Sequence, residues 1–529
     1  MATQHLTGRE SDRSDSHVPT ARKRPWPSIA DAESGRRWYA FVVLAASSYS
    51  VLTAWANAGE NPILLTLLLA WLLLASLGIG IWRVLVLLGL DAEGSSYATA
   101  LFMLVFANAG GLVGKFHPLD RLGLFLLAVG VGLIGYRLRQ LAAFRLLVTW
   151  LVIFIVAYPM VNIVGRADLA QAGPQNVETS ASLSVENMVE RPDILVVFFD
   201  AYGSREVLDR YYQYDNRGVL EDLDDRGFEA PGTISANYAR TQLAIPSFLQ
   251  LDYVAGEGEV SDQDVDGLLE VLGGSNRLAS VLKGQGYRQI HVESGWLGTR
   301  CGPTVDVCIG APWPDETFFD IVYRSILTDI PGFEIGRTFT DGALHVADWL
   351  HRDLSRYLED DQPDLIFAHV LMPHPPLFLK GDCSADWDGG VSGFAIGRRG
   401  ADSLETDAAR SDYIDQVECA NHMMIETADM LGDDDAVLFM GDHGPDLLGQ
   451  LFTPSSGWTE DQLRERFGTF FAARVPGCDM TNLGSVVNAG RRMMSCLSGE
   501  PFPDLPTRTY DLNRSPTLQI INELTVPTS

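Results

Sequence analysis

No cysteine occurs before position 301, and the six that follow (Cys301, Cys308, Cys383, Cys419, Cys478, Cys496) include no CxxC pair. A structural zinc site of the ribbon type is therefore not expected, because such sites need closely paired thiolates. Basic residues are also scarce. The chain carries 39 Lys and Arg against 68 Asp and Glu, a formal net charge of −29. That balance excludes a nucleic-acid binder, which needs a basic footprint. Internal repeats are absent, and no short apolar run with a cleavage site stands alone, so a cleaved signal peptide is not expected. An even number of cysteines confined to one half of the chain instead suits a disulfide-bonded domain in an oxidising compartment. Cys301 and Cys308, seven apart around Gly302 and Pro303, are the first candidate pair.

Polar residues are rare from Trp38 to Gly165. Five apolar segments are expected there, at 38–58, 62–88, 97–115, 120–138 and 144–164, each near the ~20 residues that cross a bilayer. Arg83 sits near the end of the second, where its long side chain can reach the interface. The preceding residues 1–37 read as a disordered cytoplasmic tail. It holds Arg22, Lys23, Arg24, Arg36 and Arg37, and the loop after the fourth segment holds Arg137, Arg139 and Arg145. Positive charge marks the cytoplasmic side. An odd number of crossings then places residues 191–529 outside, after a polar linker at 166–190.

The outer region alternates strand-like and helix-like stretches, which predicts an α/β domain with a mostly parallel central sheet. Three apolar runs end on residues that can hold a metal. "DILVVFFDAYG" ends its run on Asp200, "PDLIFAHV" reaches His369, and "VLFMGDHG" ends on Asp442 and His443. In an open parallel sheet, sites form beyond the carboxyl ends of the strands. Three such runs place Asp200, His369, Asp442 and His443 at one edge. Carboxylates with imidazoles suit a divalent ion, Zn2+ or Mn2+. A hydroxyl beside such an ion loses its proton readily and becomes a nucleophile. "SANYARTQLAIPSFLQ" offers Ser235, Thr241 and Ser247, and composition does not choose among them. Arg240 and Asn237 flank Thr241 and could donate to phosphate oxygens, as substrate-binding groups. Ser247 reads as a helix cap and Ser235 as a turn residue. His291 and Glu293 read equally as substrate contacts or as a satisfied pair. His345, His351 and the acidic run Asp433–Asp435 read as structural or solvated, as do His117 and Trp387.

These stretches resemble the alkaline phosphatase superfamily in its sulfatase-like branch. "DILVVFFDAYG" is similar to that family's first metal-binding strand, "GDHG" to its aspartate–histidine signature, and "HVLMPHPP" to its substrate-contacting histidine segment. Five membrane helices before an outer catalytic domain resemble the plan of membrane-anchored phosphoethanolamine transferases and lipoteichoic acid synthases. In the phosphoethanolamine transferases the nucleophile is a threonine five residues before a proline; Thr241 stands five before Pro246. The resemblance thus implies that Thr241 is the nucleophile and that Asp200, Asp442 and His443 are metal ligands alongside it. It implies that His369 and His374 bind phosphate or serve the leaving group. The chain departs from the transferases in having Asp200 where they have glutamate, and in lacking a further histidine after the aspartate–histidine pair. The sulfatase nucleophile motif, Cys or Ser followed by x-Pro-x-Arg, is absent.

The expected activity is transfer of a phospho-head-group, phosphoethanolamine or phosphoglycerol, from a membrane phospholipid to an envelope glycan or lipid. A phosphodiesterase, phosphatase or other sulfatase-like hydrolase shares the first half-reaction. A non-catalytic envelope protein would require the ligand residues to be missing. The arginine distribution makes a direct prediction: protease added to intact spheroplasts should remove the domain after Gly165. A protected domain with a digested amino-terminal tail would reverse the orientation.

Overall fold

The computed structural model describes residues 29–57, 64–108, 121–170, 185, 188, 191–260, 262–311, 318, 321, 325, 344–359, 362–375, 377, 379–385, 403–450, 453–514 and 519–526. The apolar region forms five helices: α1 (Ile29–Asn57), α2 (Leu64–Leu87), α3 (Ala92–Phe106), α4 (Arg121–Leu138) and α5 (Ala142–Ala170). Among the described residues, three stretches are long and apolar enough to cross a membrane: Gly35–Ala56, Leu64–Leu87 and Ala142–Ile163. Helix α3 has 15 residues. At ~1.5 Å per residue it spans only ~22 Å, short of a ~30 Å hydrocarbon core. The apolar part of α4 is also shorter, Gly123–Leu138. The expectation of five full spans therefore holds for three helices, while all five pack together.

Leu65, Leu68, Leu72, Trp150 and Phe154 face outward, as lipid-facing apolar side chains do. Arg139 pairs with Asp91 at 3.2 Å and Arg145 with Glu93 at 2.8 Å. These pairs hold the α2–α3 and α4–α5 turns at one end of the bundle. Helix α5 starts at that end, so the chain leaves toward the α/β domain from the opposite one. Ile321, from the α/β part of the chain, is buried against Val51, Leu67, Ala70 and Leu124. The region assigned to a linker departs from expectation at both ends. Helix α5 runs on to Ala170. Val185 and Met188 are buried in the α/β core, where Gln285 bonds both backbones.

The α/β domain is built on one six-stranded sheet. Its strands are β1 (Ile194–Phe199), β2 (Arg288–Val292), β3 (Val307–Ile309), β4 (Asp364–Val370), β5 (Ala436–Gly441) and β6 (Phe471–Arg474). They lie in the order β3-β2-β4-β1-β5-β6. The first five are parallel, and β6 is antiparallel to β5. Alternation along β1 sends Leu195, Val197 and Phe199 to one apolar cluster and Ile194, Val196 and Phe198 to another. Both faces are therefore covered, which is why the central strands read as unbroken apolar runs. The helix expected from "DYIDQVECANHMMIETADML" is α7 (Ser403–Ala428); Thr241–Gln250 forms α6, Glu460–Phe467 α8 and Val486–Ser498 α9. The six cysteines form three disulfides, Cys301–Cys308, Cys383–Cys419 and Cys478–Cys496, including the pair expected from spacing.

Two glycines close β5. A Cβ at Gly441 would lie 2.1 Å from Thr469 Oγ1, and one at Gly444 would lie 1.9 Å from the Glu465 carbonyl oxygen. The second contact is with backbone, which cannot rotate away. Gly444→Ala should lower stability by about 1–3 kcal/mol in thermal unfolding of the detergent-purified protein. An unchanged transition would mean that α8 is not packed against this turn.

Candidate active site

Register alone brings the first residues together. Phe199 of β1 pairs with Val370 of β4 on one side and with Gly441 of β5 on the other. Asp200 and Asp442 thus follow the ends of adjacent strands, and His369 precedes the last residue of β4. All three are buried. One ligand atom from each of Asp200, His369 and Asp442 lies within 4.8 Å of the others. His369 Nε2 is 3.5 Å from Asp200 Oδ2. His443 Nε2 is 3.2 Å from Asp442 Oδ2 and 3.7 Å from Asp200 Oδ1. His369, to which the resemblance gave a phosphate contact, lies with the two carboxylates at the edge where its apolar run ends.

Thr241 reaches the cluster from outside the sheet. It is the first residue of α6, with its Oγ1 3.1 Å from His443 Nε2. The other ring nitrogen of His443 faces the Gly444 carbonyl at 3.0 Å. A carbonyl can only accept, so Nδ1 carries the hydrogen and Nε2 presents a lone pair. The amino end of α6 adds partial positive charge beside the hydroxyl.

The electrostatics treat the two carboxylates unequally. Burial works to raise the carboxyl of Asp200, but His374, His369 and His443 outweigh it and hold it below the usual carboxylate range. Asp442 is pushed up to about 6, first by burial and then by the charge of Asp200. Burial, with the nearby charge of Arg466, drives His443 well below an ordinary histidine. Asp200 Oδ1, Asp442 Oδ2 and both ring nitrogens of His369 are buried without a hydrogen bond. Buried polar atoms are ordinarily satisfied. Four orphaned atoms that are all possible metal ligands, on three side chains that converge, fit a divalent ion. The nitrogen and oxygen donors suit zinc or manganese. A second grouping, Glu293 with Cys301 and Cys308, offers no thiolate because the cysteines form a disulfide.

The surrounding residues sort differently from expectation. His374 is exposed, with Nδ1 2.6 Å from the Pro375 carbonyl, and it is close enough to Asp200 to depress its carboxyl. Arg240 precedes Thr241 and pairs through Nε with buried Asp511 at 3.4 Å. Asn237 does not serve as a substrate-binding donor. Both amide hydrogens are engaged, with Tyr253 Oη and the Arg508 carbonyl, and its oxygen accepts from Val487 at the start of α9. Ser247 is not a cap but lies inside α6, bonding the Ala244 carbonyl. Ser235 lies on a short strand rather than a turn. His291 is satisfied by the Thr299 carbonyl at 2.7 Å, and Glu293 by the amides of Cys301 and Ala311. His345 and His351 sit on the helix His345–Asp353, and Asp433 and Asp434 are exposed. His117 and Trp387 lie outside the described residues.

Three contributors escaped the sequence reading. Tyr413 of α7 donates to the Ala201 carbonyl at 2.8 Å and accepts from Gly203 at 3.1 Å. It thereby secures the turn after Asp200, where Ala201 has φ 61°. Trp296 packs edge-on against His369, with ring centroids 5.9 Å apart. Arg466 of α8 is buried and donates to the carbonyls of Ala239 and Gly444. A basic residue in an amphipathic helix carries no sequence signal of this kind, because its partners are backbone atoms far along the chain.

No family model and no curated protein matches the sequence. Similar solved structures include the integral membrane lipooligosaccharide phosphoethanolamine transferase A of Neisseria meningitidis, at 13% identity over 87% of this chain and 95% of that one, with a TM-score of 0.36. The C-terminal periplasmic domain of EcEptC from Escherichia coli, in complex with Zn, matches at 13% identity over 62% and 90%, with a TM-score of 0.37. The phosphonate monoester hydrolase of Agrobacterium radiobacter matches at 12% identity over 61% and 80%, with a TM-score of 0.38. Likeness this slight transfers no role to individual residues, and the chemistry rests on the geometry above.

The orphaned atoms make a prediction about metal content. Asp442→Asn keeps the shape of the side chain and removes its charge. Elemental analysis after dialysis against limiting metal should show affinity lowered by at least about 100-fold. Full occupancy in that variant would leave the cluster as a buried polar network with no ion.

Proposed function

We propose that the chain is a membrane-bound, metal-dependent transferase. It would move a phospho-head-group, phosphoethanolamine or phosphoglycerol, from a membrane phospholipid to an envelope glycan or lipid through a phospho-threonine at Thr241. The observation that carries this reading is the 3.1 Å approach of Thr241 Oγ1 to His443 Nε2, at the mouth of a buried aspartate–histidine cluster. A hydroxyl in that position, at a helix amino terminus, supports a nucleophilic role for Thr241. Asp200, Asp442, His443 and His369 would hold the ion, with Thr241 beside it. The ion supplies Lewis-acid stabilisation of negative charge on oxygen, which makes a threonine hydroxyl competent at neutral pH.

The chain's own residues account for the remaining tasks. With its proton already lost to solvent, Thr241 Oγ1 forms a bond to phosphorus as the bond from phosphorus to the lipid alcohol breaks, and it is regenerated as the alkoxide in the second half. The departing alkoxide needs a proton, and we assign its delivery to exposed His374. Its Nδ1–H is held by the Pro375 carbonyl, which leaves Nε2 as the nitrogen through which a proton would pass. In the second half the same nitrogen takes the acceptor's proton, the acceptor oxygen bonds to phosphorus, and Thr241 is released. The amino end of α6 and Arg240 provide positive charge for the phosphate oxygens.

Location supports a lipid donor. The α/β domain leaves a bundle whose outward leucines suit lipid, and three disulfides in that domain suit a periplasmic or extracellular position. The bundle would lie in the inner or plasma membrane. Thr241→Ala should cut turnover by at least about 10⁴-fold, with metal content and unfolding temperature close to those of the parent. Incubation of the parent with lipid extract, quenched in acid, should trap one added mass on the Thr241 peptide, and that mass names the head group. A fully active Thr241→Ala variant would remove threonine from the reaction. Release of the free head group with water as sole acceptor would make the enzyme a hydrolase.

A further inference from the structure

We propose that Arg466 is a positioning residue, a buried brace that sets the Thr241 hydroxyl against the Asp442–His443 turn. The inference rests on the nucleophile reading above and adds to it a residue that touches neither substrate nor ligand atoms. Arg466 lies on α8, more than 200 residues from Thr241 in sequence, and is 3% exposed. Its Nε and Nη2 donate to the Ala239 carbonyl at 2.9 and 2.6 Å. Its Nη1 donates to the Gly444 carbonyl at 2.8 Å. The Arg466 carbonyl in turn accepts from the Gly444 amide, also at 2.8 Å.

These bonds close a circuit. Ala239 is followed by Arg240 and then by Thr241 at the start of α6. The Gly444 carbonyl that Arg466 holds also accepts from His443 Nδ1, and His443 Nε2 meets Thr241 Oγ1. One guanidinium thus joins the two segments whose side chains must meet. Neither segment shares a strand ladder with the other at this point, so side-chain geometry is left to carry their spacing.

A merely structural arginine is the competing explanation, since carbonyls need donors wherever they are buried. Two features oppose it. Among the described residues Arg466 makes no ion pair, and burial lowers its proton affinity. Its charge is compensated at a distance, first by Asp446, rather than by a direct ion pair, which is a costly way to satisfy two carbonyls. The cost is offset where a fixed positive charge is wanted, next to Asp200, Asp442 and an incoming phosphate. The planar fork also gives what a neutral donor cannot, several bonds in one fixed orientation.

The test compares Arg466→Lys with Arg466→Ala in the full-length, metal-loaded protein. Lysine keeps the charge and loses the fork. Its kcat should fall about 100-fold, the scale of a misplaced reacting group, with KM within about twofold and metal content unchanged. Formation of the Thr241 adduct should slow by the same factor. The alanine variant leaves a guanidinium-sized gap, and millimolar guanidinium chloride should restore part of its activity but none to the parent protein. A folded lysine variant with parental kcat would overturn the proposal. So would a loss carried by KM or by missing metal, or an alanine variant that folds and gains nothing from guanidinium. Failure of both variants to fold would make Arg466 a stability residue and would overturn it as well. Thr241→Ala separates the two readings. If it is inactive while Arg466→Lys turns over normally, the brace alone falls. If it is active while Arg466→Lys is impaired, the nucleophile falls and the brace remains on the His443 side.

Discussion

Two carboxylates of like charge, Asp200 and Asp442, are buried at the ends of adjacent parallel strands, and much of the α/β domain is arranged around that constraint. The sheet puts them there because Phe199 pairs with Gly441 in register. Burial and mutual repulsion both oppose ionisation of such a pair. The domain answers by unequal treatment. His374, His369 and His443 hold Asp200 charged, while Asp442 is pushed up to about 6. An arrangement with four orphaned ligand atoms is unfavourable on its own. The donor atoms that converge there fit a divalent cation.

The support of this pair comes from elements that lie far away in sequence. Helix α7 contributes Tyr413, which fixes the turn after Asp200. Helix α8 contributes Glu465 and Arg466 side by side. Glu465 is buried and pushed up to about 7 by burial, and it gathers the amides of Leu447 and Leu448 with Tyr212 and Gln450. It therefore anchors the loop that follows the Asp442–His443 turn, just as its neighbour binds that turn to the segment before α6. The tight backbone of Gly444 against Glu465 is the steric side of the same packing.

The two halves of the chain are related through physical chemistry rather than through a shared site. The bundle's ion pairs Arg139–Asp91 and Arg145–Glu93 gather at the end opposite to the α/β domain. Helices α3 and α4 are too short for a full crossing on their described apolar length, whereas α1, α2 and α5 are long enough. The bundle can thus be a packed unit in which not every member spans. At its far end Ile321 and Phe318, from the α/β part of the chain, enter its packing.

Periodicity and apolar runs were enough to place β1, β4 and β5 and to put Asp200, His369, Asp442 and His443 at one edge, since strands buried on both faces leave unbroken apolar runs and parallel sheets gather sites at their carboxyl ends. Cysteine spacing was enough for Cys301–Cys308. Composition left Ser235, Thr241 and Ser247 open, and resemblance chose Thr241. Tertiary structure decided what each polar side chain does. Only there is Asn237 spent on the start of α9 and His369 set 3.5 Å from Asp200. Only there does Arg466, an ordinary helix residue in the sequence, become a link between Ala239 and Gly444. The physical reason is that apolar burial is written in local patterns. A hydrogen bond from a side chain to a distant carbonyl depends instead on which segments the whole fold brings within about 3 Å of each other, and no local pattern records that.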